Sequence, residues 1–257
     1  MGYADFRKRV REGAPLAGTF VKTPAIPVIE VLAQSGLDFL CLDAEHAPFD
    51  RASLDSCLAV ARALDFPVMV RVGDSSPREI LQALDYGAVG VVVPHVETLE
   101  QAQAVARAAR FGLHGRGFAG STRWAGYATR PMPEVLAQSR EETVVLAQIE
   151  EPDAVEICEQ IAAEDGIDGL FVGPVDLSVG YGHDTADNPE VKAALARVGA
   201  ACKAAGKGYA SFVGTGGVAQ DWAETYGVNV FCIASEHAWM RTGAAEAARA
   251  VHEIGSS

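Results

Sequence analysis

The sequence predicts an α/β protein of the (β/α)₈ TIM-barrel class, a ring of parallel strands with helices outside. Three observations predict it. Short β-type runs alternate with helical patterns from end to end, and eight such runs can be counted. Several of them are near-continuous in apolar residues, as strands buried on both faces are. The length of 257 residues suits one barrel, and no Pro-, Ser- or Gly-rich linker divides the chain, so residues 1–257 read as a single domain. An open doubly wound sheet is the competing architecture. It usually has fewer strands, and no Gly-x-Gly-x-x-Gly follows the first run.

Taken in order, the first strand is expected over 18–22, with a helix over 26–34. The second strand, Phe39–Asp43, runs straight into Ala44, Glu45 and His46 before Pro48 stops it. The helix over 53–64 carries Leu54, Cys57, Leu58 and Ala61 at helical spacing. A third strand over 67–72 precedes a helix over 77–84, which opens with Ser76-Pro77, a cap followed by proline at the first helical position. After the fourth strand, 89–94, Thr98 stands three residues before Gln101 in a capping-box pattern. Residues 110–140 then break the rhythm, being too long for a plain connection and mixing glycine with arginine and aromatics between His114 and Trp124. The segment reads either as a lid or substrate clamp over the barrel mouth or as an excursion with a short helix near 133–139. Strands over 143–150, 169–173, Gly208–Val213 and 228–234 complete the ring. Helices over 153–163, Pro189–Ala205, 218–226 and 237–254 alternate with them.

Composition narrows the function classes. Lys plus Arg is 21 against 34 for Asp plus Glu, and the net charge of −13 disfavours nucleic acid and anionic membranes as partners. The five cysteines are odd in number, form no Cys-x-x-Cys pair and sit in apolar contexts, which points to a reducing, cytoplasmic compartment without disulfides. Residues 1–11 are charged and lack an apolar core, and no long apolar run occurs, so neither a secretion signal nor a membrane span is expected.

In a barrel the carboxyl ends of the strands face one pocket. Strand two brings Asp43, Glu45 and His46 there, strand three Arg71, strand five Gln148 and Glu150, and the turn after strand six Gly173, Pro174, Val175 and Asp176. Burying these groups together makes sense if they are paired or hold a metal. Glu150 and Asp176, hard oxygen donors with no cysteine or histidine cluster beside them, suit Mg²⁺ or Mn²⁺; as plain helix or turn caps they would need no metal. His46 suits proton transfer near neutral pH, and Arg71 suits a carboxylate or an enolate oxygen; a structural histidine and an internal ion pair are the bland alternatives. His95 can face the pocket rim. Gly214 to Gly217 occupies the position of a phosphate-binding turn, or of an ordinary tight turn.

Several motifs recur in one order: Leu42-Asp43-Ala44-Glu45-His46-Ala47-Pro48, Val70-Arg71-Val72, Leu84-Asp85-Tyr86-Gly87-Ala88 and Val92-Val93-Pro94-His95-Val96. Gly115-Arg116-Gly117, Gln148-Ile149-Glu150 and Gly173-Pro174-Val175-Asp176-Leu177-Ser178 follow. In these the chain resembles the class II pyruvate aldolases of the 4-hydroxy-2-oxoheptanedioate and 2-dehydro-3-deoxyglucarate aldolase family, over about 18–244. The resemblance implies a carbon–carbon lyase of sugar-acid or aromatic catabolism, joining the enolate of a 2-oxo acid such as pyruvate to an aldehyde. It implies a divalent metal (Mg²⁺ or Mn²⁺, with Co²⁺ a further candidate) at Glu150 and Asp176, chelated by pyruvate, with Gln148 beside it. Arg71 would stabilise the enolate. His46 would move the proton through a metal-bound water, held by Asp43 and by Asp85, the latter reaching in from a neighbouring subunit. The implied assembly is a homo-hexamer, a trimer of dimers that exchange their last helix.

Two departures from the family pattern stand out. Val175 replaces the small residue, commonly alanine, next to the metal ligand, and residues 118–127 differ in a loop expected to shape the aldehyde pocket. Phe20 is expected to line that pocket where relatives often carry tryptophan. Three competing readings remain on the sequence. A decarboxylase or acyl-coenzyme A lyase on the same metal site would need a basic entry patch, for which Arg123, Arg130 and Arg140 are the nearest cluster. A metal-dependent sensor would be expected to break the His–Arg–carboxylate set, which is intact. A phosphate-site isomerase would rest on Gly214 to Gly217 alone.

Overall fold

A computed structural model describes residues 2–254 of the chain. Its eight parallel strands close into a barrel in sequence order, with the last pairing back onto the first. They are β1 (Leu16–Val21), β2 (Phe39–Asp43), β3 (Val68–Arg71), β4 (Gly90–Val93), β5 (Val144–Ile149), β6 (Gly169–Val172), β7 (Gly208–Val213) and β8 (Val230–Ser235). Every expected strand is present, and β1 begins two residues earlier than the apolar run suggested.

Side chains alternate across each strand, and this alternation builds both the core and the mouth. On β2, Phe39 and Cys41 point into the barrel while Leu40 and Leu42 pack outward under the helices. The next inward position is Asp43. On β3 the inward sequence is Met69 then Arg71, and on β5 it is Val144, Leu146, Gln148 and then Glu150. Each inward row is thus apolar until the carboxyl end of its strand, where it turns polar.

Outside the strands, α2 (Ile26–Leu32), α3 (Arg51–Ala63), α4 (Pro77–Tyr86) and α5 (Leu99–Ala108) follow β1 to β4. Both expected caps form: Ser76 accepts from Glu79 N–H, and Thr98 and Gln101 make a reciprocal capping box. After β6 come a short helix not expected from the sequence, α9 (Pro174–Gly180), and α10 (Pro189–Ala205), and α11 (Gly216–Tyr226) follows β7.

The structure adds to the sequence reading and in places departs from it. A helix, α1 (Tyr3–Arg11), precedes β1, and Tyr3, Phe6 and Val10 plug the amino-terminal end of the barrel. Phe6 meets Phe39 with ring centroids 5.4 Å apart, and a Cβ on Gly18 would stand 2.5 Å from the Phe39 ring, so glycine makes room for the plug. The helix expected over 153–163 is split at Ile157 (φ −121°, ψ 13°) into α7 (Pro152–Glu156) and α8 (Cys158–Ala163). The offset lets Val155 and Cys158 both reach the core.

Residues 110–140 follow the second of their two readings, an excursion whose helix is α6 (Met132–Glu142). This excursion hangs at the amino-terminal end of the barrel, where α6 packs beside α1. Arg110 there reaches Asp168 and the Thr143 carbonyl. The segment is not a lid over this protomer's mouth, because α5 has already carried the chain to the opposite end. Its centre is an aromatic nest in which Arg116 stacks on Phe111 (4.5 Å) and Trp124 (5.0 Å).

Last, α12 (Glu236–His252) does not fold back as an ordinary barrel helix. It meets β8 and β1 near its start, and every residue from Trp239 to Ile254 is exposed.

Candidate active site at the barrel mouth

The strand ends enclose a cavity of about 480 Å³. Phe20, His46, Arg71, Gln148, Gly173, Pro174, Val175 and Asp176 all line it. These come from β1, the turn after β2, β3, β5 and the start of α9 after β6, so the mouth gathers residues far apart in sequence.

Arg71 and Asp43 are its rigid centre. Arg71 Nε donates to Asp43 Oδ1 at 3.0 Å and Nη2 donates to Oδ2 at 2.8 Å, both side chains being buried. The two residues are direct neighbours in the β2–β3 register, which sets the fork against the carboxylate. Burial pushes the Asp43 carboxyl up, but the Arg71 hydrogen bond and charge, the His46 N–H and Lys22 outweigh it and hold it below the usual carboxylate range. The guanidinium lies 4.5 Å over the Phe20 ring. Its Nη1 donates to no acceptor among the described residues.

Asp43 holds the His46 backbone rather than its ring, accepting from His46 N–H at 3.1 Å. The ring is largely exposed, with Nε2 3.7 Å from Glu45 Oε2.

A second group of acids lies beside the cavity. Glu45, His95 and Glu150 bring ligand-type atoms within 4.8 Å of one another. Glu150 Oε1 accepts from His95 N–H at 2.8 Å, and its Oε2 accepts from Gln148 Nε2. His95 holds a left-handed backbone (φ 53°) to make this contact, a strain of the kind that functional sites carry. Burial raises the Glu150 carboxyl above its usual range; His95 offsets this in part, and Glu151 and Asp176 add to it. The Glu151 hydrogen bond raises the His95 imidazole against some burial, with the Glu150, Glu151 and Glu45 charges adding to it. The proton on His95 therefore stands against an excess of negative charge.

The donor set fits a divalent cation. A Cβ on Gly173 would be 3.1 Å from Asp176 Oδ2 and 3.3 Å from Glu150 Oε2, so both carboxylates flank one glycine. Gln148 Oε1 and Glu45 Oε2 are buried without a hydrogen-bond partner, the latter although Arg71 Nε lies 3.2 Å away. Hard oxygens left unsatisfied beside a carboxyl raised by burial are what a bound cation would relieve.

Other expected residues fall elsewhere. Asp85 ends α4 and is gripped by Arg116, away from this protomer's cavity. Arg123 pairs with Asp55, Arg130 with Gln138 and Glu134, and Arg140 sits in the last turn of α6 beside Arg7 of α1, so none of the arginines considered for coenzyme A lines this mouth. Thr215 caps α11 by accepting from Val218 N–H, and only Gly214 of the glycine-rich turn reaches the cavity. Two mouth residues carried no assigned role in the sequence. Lys22 follows the inward row Leu16, Gly18, Phe20, and that period of two was the available signal; Ser235 ends β8.

With this geometry in view, a family model described as HpcH/HpaI aldolase/citrate lyase matches residues 16–222. The chain belongs to the HpcH/HpaI aldolase/citrate lyase family. It is 40% identical over 180 residues to a 5-keto-4-deoxy-D-glucarate aldolase of Klebsiella pneumoniae, covering 69% of this chain and 70% of that protein. It is 37% identical over 209 residues to a hydroxypyruvate/pyruvate aldolase of Delftia acidovorans, covering 79% and 76%. Its fold superposes on a crystal structure of an HpcH/HpaI aldolase/citrate lyase family protein from Burkholderia cenocepacia with TM-score 0.90 at 33% identity, covering 97% of this chain and 99% of that one. This aldolase is a carbon–carbon lyase on a closed (β/α)₈-type barrel. No helix among its described residues is long and apolar enough to cross a membrane.

Proposed function

We propose that this aldolase makes or cleaves 4-hydroxy-2-oxo acids, joining the enolate of pyruvate or a related 2-oxo acid to an aldehyde. The observation that carries the reading is Arg71, fixed by Asp43 and presenting a spare donor to a cavity bordered by the Glu150 and Asp176 carboxylates. Glu150 and Asp176 would hold a divalent cation, Mg²⁺, Mn²⁺ or Co²⁺, which when bound supplies Lewis-acid polarisation of the 2-oxo group.

The chain's own residues do the rest. Arg71 pairs with the oxygen on which negative charge grows as C3 of the 2-oxo acid loses a proton. His46, exposed at the rim, takes that proton. The enolate carbon then bonds to the aldehyde carbon, and the aldehyde oxygen takes up a proton, so that pyruvate plus aldehyde gives the 4-hydroxy-2-oxo acid. Gln148 positions the oxo acid, Gly173 leaves room for it, and Pro174, Val175 and Phe20 wall the methyl side. Asp43 serves by holding Arg71 and the His46 backbone.

The aldolase works as a homo-oligomer in this reading, a trimer of dimers, with the exposed α12 seated on a neighbour and Asp85 offered to a neighbour's mouth. Its five cysteines, all free and buried, suit a reducing cytoplasm.

The test is exchange of pyruvate methyl protons in D₂O, followed by NMR after chelation and metal re-addition. Exchange is expected with metal only, and His46→Ala should slow it by about 10²-fold or more. Glu150→Gln should abolish it. A folded protein that binds metal yet exchanges nothing would overturn the reading.

A further inference from the structure

We propose that the amino-terminal floor of the barrel carries a second binding site, for the phosphate monoester of a small hydroxylated molecule. The site lies at the opposite end of the barrel from the mouth and shares no lining residue with it.

Three observations carry it. The first is a convergence of cations. A cavity of about 440 Å³, within the range of small-molecule sites, is lined by Arg7 of α1, Arg107 of α5, Arg110 just beyond α5 and Arg140 of α6. Four guanidiniums meet there although the chain as a whole carries a net charge of −13.

The second is how little answers those cations. Among the described residues, Asp168 is the only carboxylate that pairs with any of the four, and it is buried behind the lining. Its Oδ1 accepts from Arg7 Nε at 2.8 Å, and its Oδ2 accepts from Arg110 Nη2 and from Val145 N–H, each at 3.0 Å. Arg110 Nη2 also donates to the Thr143 carbonyl, but Nη1 is buried without an acceptor. The Arg107 and Arg140 side chains form no hydrogen bond or ion pair among the described residues. Burial lowers the Arg110 guanidinium below its usual range; Asp168 and Asp165 resist this, and the neighbouring Arg7 charge adds to it. An anion in the cavity would relieve that crowding, and guanidinium forks suit the oxygens of a phosphate.

The third observation sets the rest of the ligand. Glu164 and Asp165 line the same cavity from the turn after α8. That turn lies against α5, since a Cβ on Gly166 would stand 3.1 Å from Ala106 Cβ. Neither acid pairs with any of the four arginines. Their carboxylates would repel a second anionic group and accept hydrogen bonds from hydroxyls. The ligand that matches both sets is therefore anionic at one end and hydroxylated at the other.

Calorimetric titration of the full-length, metal-loaded protein with glycerol 3-phosphate tests the site. Binding is expected with a Kd of about 1 mM or tighter, and inorganic phosphate should bind at least about tenfold more weakly. Arg107 and Arg140 are exposed, so the double variant Arg107→Ala/Arg140→Ala should stay folded and lose about tenfold or more in affinity. Arg71→Lys, at the mouth, should bind glycerol 3-phosphate as the wild type does. Loss of binding in Arg71→Lys would put the ester at the mouth and overturn the floor site, as would undiminished binding in the double variant. Equal affinity for inorganic phosphate would overturn the assignment of an ester. Should the double variant not fold, the wild type alone still decides, because no binding at about 10 mM ester overturns the proposal.

Discussion

Arg71 and Asp43 show how two residues can be structural and functional at once. The pair is buried and bidentate, so neither member can lose its partner cheaply. Arg71→Met should destabilise the fold by about 3–5 kcal/mol, because it strands a carboxylate inside the mouth; urea unfolding measures it. Arg71→Lys keeps the charge and loses the fork, so it should remain folded with activity strongly reduced. The pH dependence follows from the sign of the shift. Asp43 is held below its unfolded value, so its contribution is present above about pH 4 and is lost as pH falls through the folded value. The wild-type melting temperature should therefore drop in acid, and that drop should be smaller in Asp43→Asn. Glu150 has the opposite sign. Its carboxyl is raised, so in metal-free protein its charge opposes folding above its unfolded value. Glu150→Gln should raise the melting temperature of the metal-free protein and remove the stabilisation that Mg²⁺ or Mn²⁺ gives the wild type, a trade of stability for function readable by calorimetry.

At the scale of elements, α1 closes the amino-terminal end of the barrel and leaves the carboxyl end open for chemistry. Phe6 is fully buried against Phe39, and Phe6→Ala should cost about 3–5 kcal/mol by opening a cavity under the barrel floor. The plug lies at the opposite end from the mouth, so kcat of the folded variant should stay near wild type, as steady-state kinetics below its melting point would show. The excursion before β5 is an element of another kind. Its aromatic nest around Arg116 is anchored to the Asp85 end of α4, so it acts on the mouth of its own protomer only through the barrel wall.

The whole molecule is a barrel with one helix left over. α12 and the turn after it present Trp239, Met240, Val251 and Ile254 to solvent, although burying such side chains is worth about 1.5–3 kcal/mol each. The assembly proposed above would cover these side chains, as oligomerisation through an exchanged element does. Truncation after Met240, which retains Glu236 and its grip on the backbone at Lys22, should lower the oligomer to smaller species in light scattering while far-UV circular dichroism still reports the barrel. An unchanged oligomer would place the interface elsewhere.

The barrel was legible in the sequence because each strand is a local object. Phe39 to Leu42 is apolar on both faces, and the polar groups Asp43, Arg71, Gln148 and Glu150 sit where apolar inward rows end. The caps at Ser76 and Thr98 were legible for the same reason, since a cap is satisfied by residues three positions away. α1 was hidden because three apolar residues among charges make a weak pattern until a barrel floor exists to bury them. The position of residues 110–140 was hidden too, because composition does not say at which end of a barrel a loop hangs. Sequence alone determined which side chains are available for chemistry. Tertiary structure alone decided that His95 joins Glu45 and Glu150, that Asp85 answers to Arg116, and that Lys22 pairs with Asp43. Those meetings are set by the closure of the ring, which brings together groups that chain distance keeps apart.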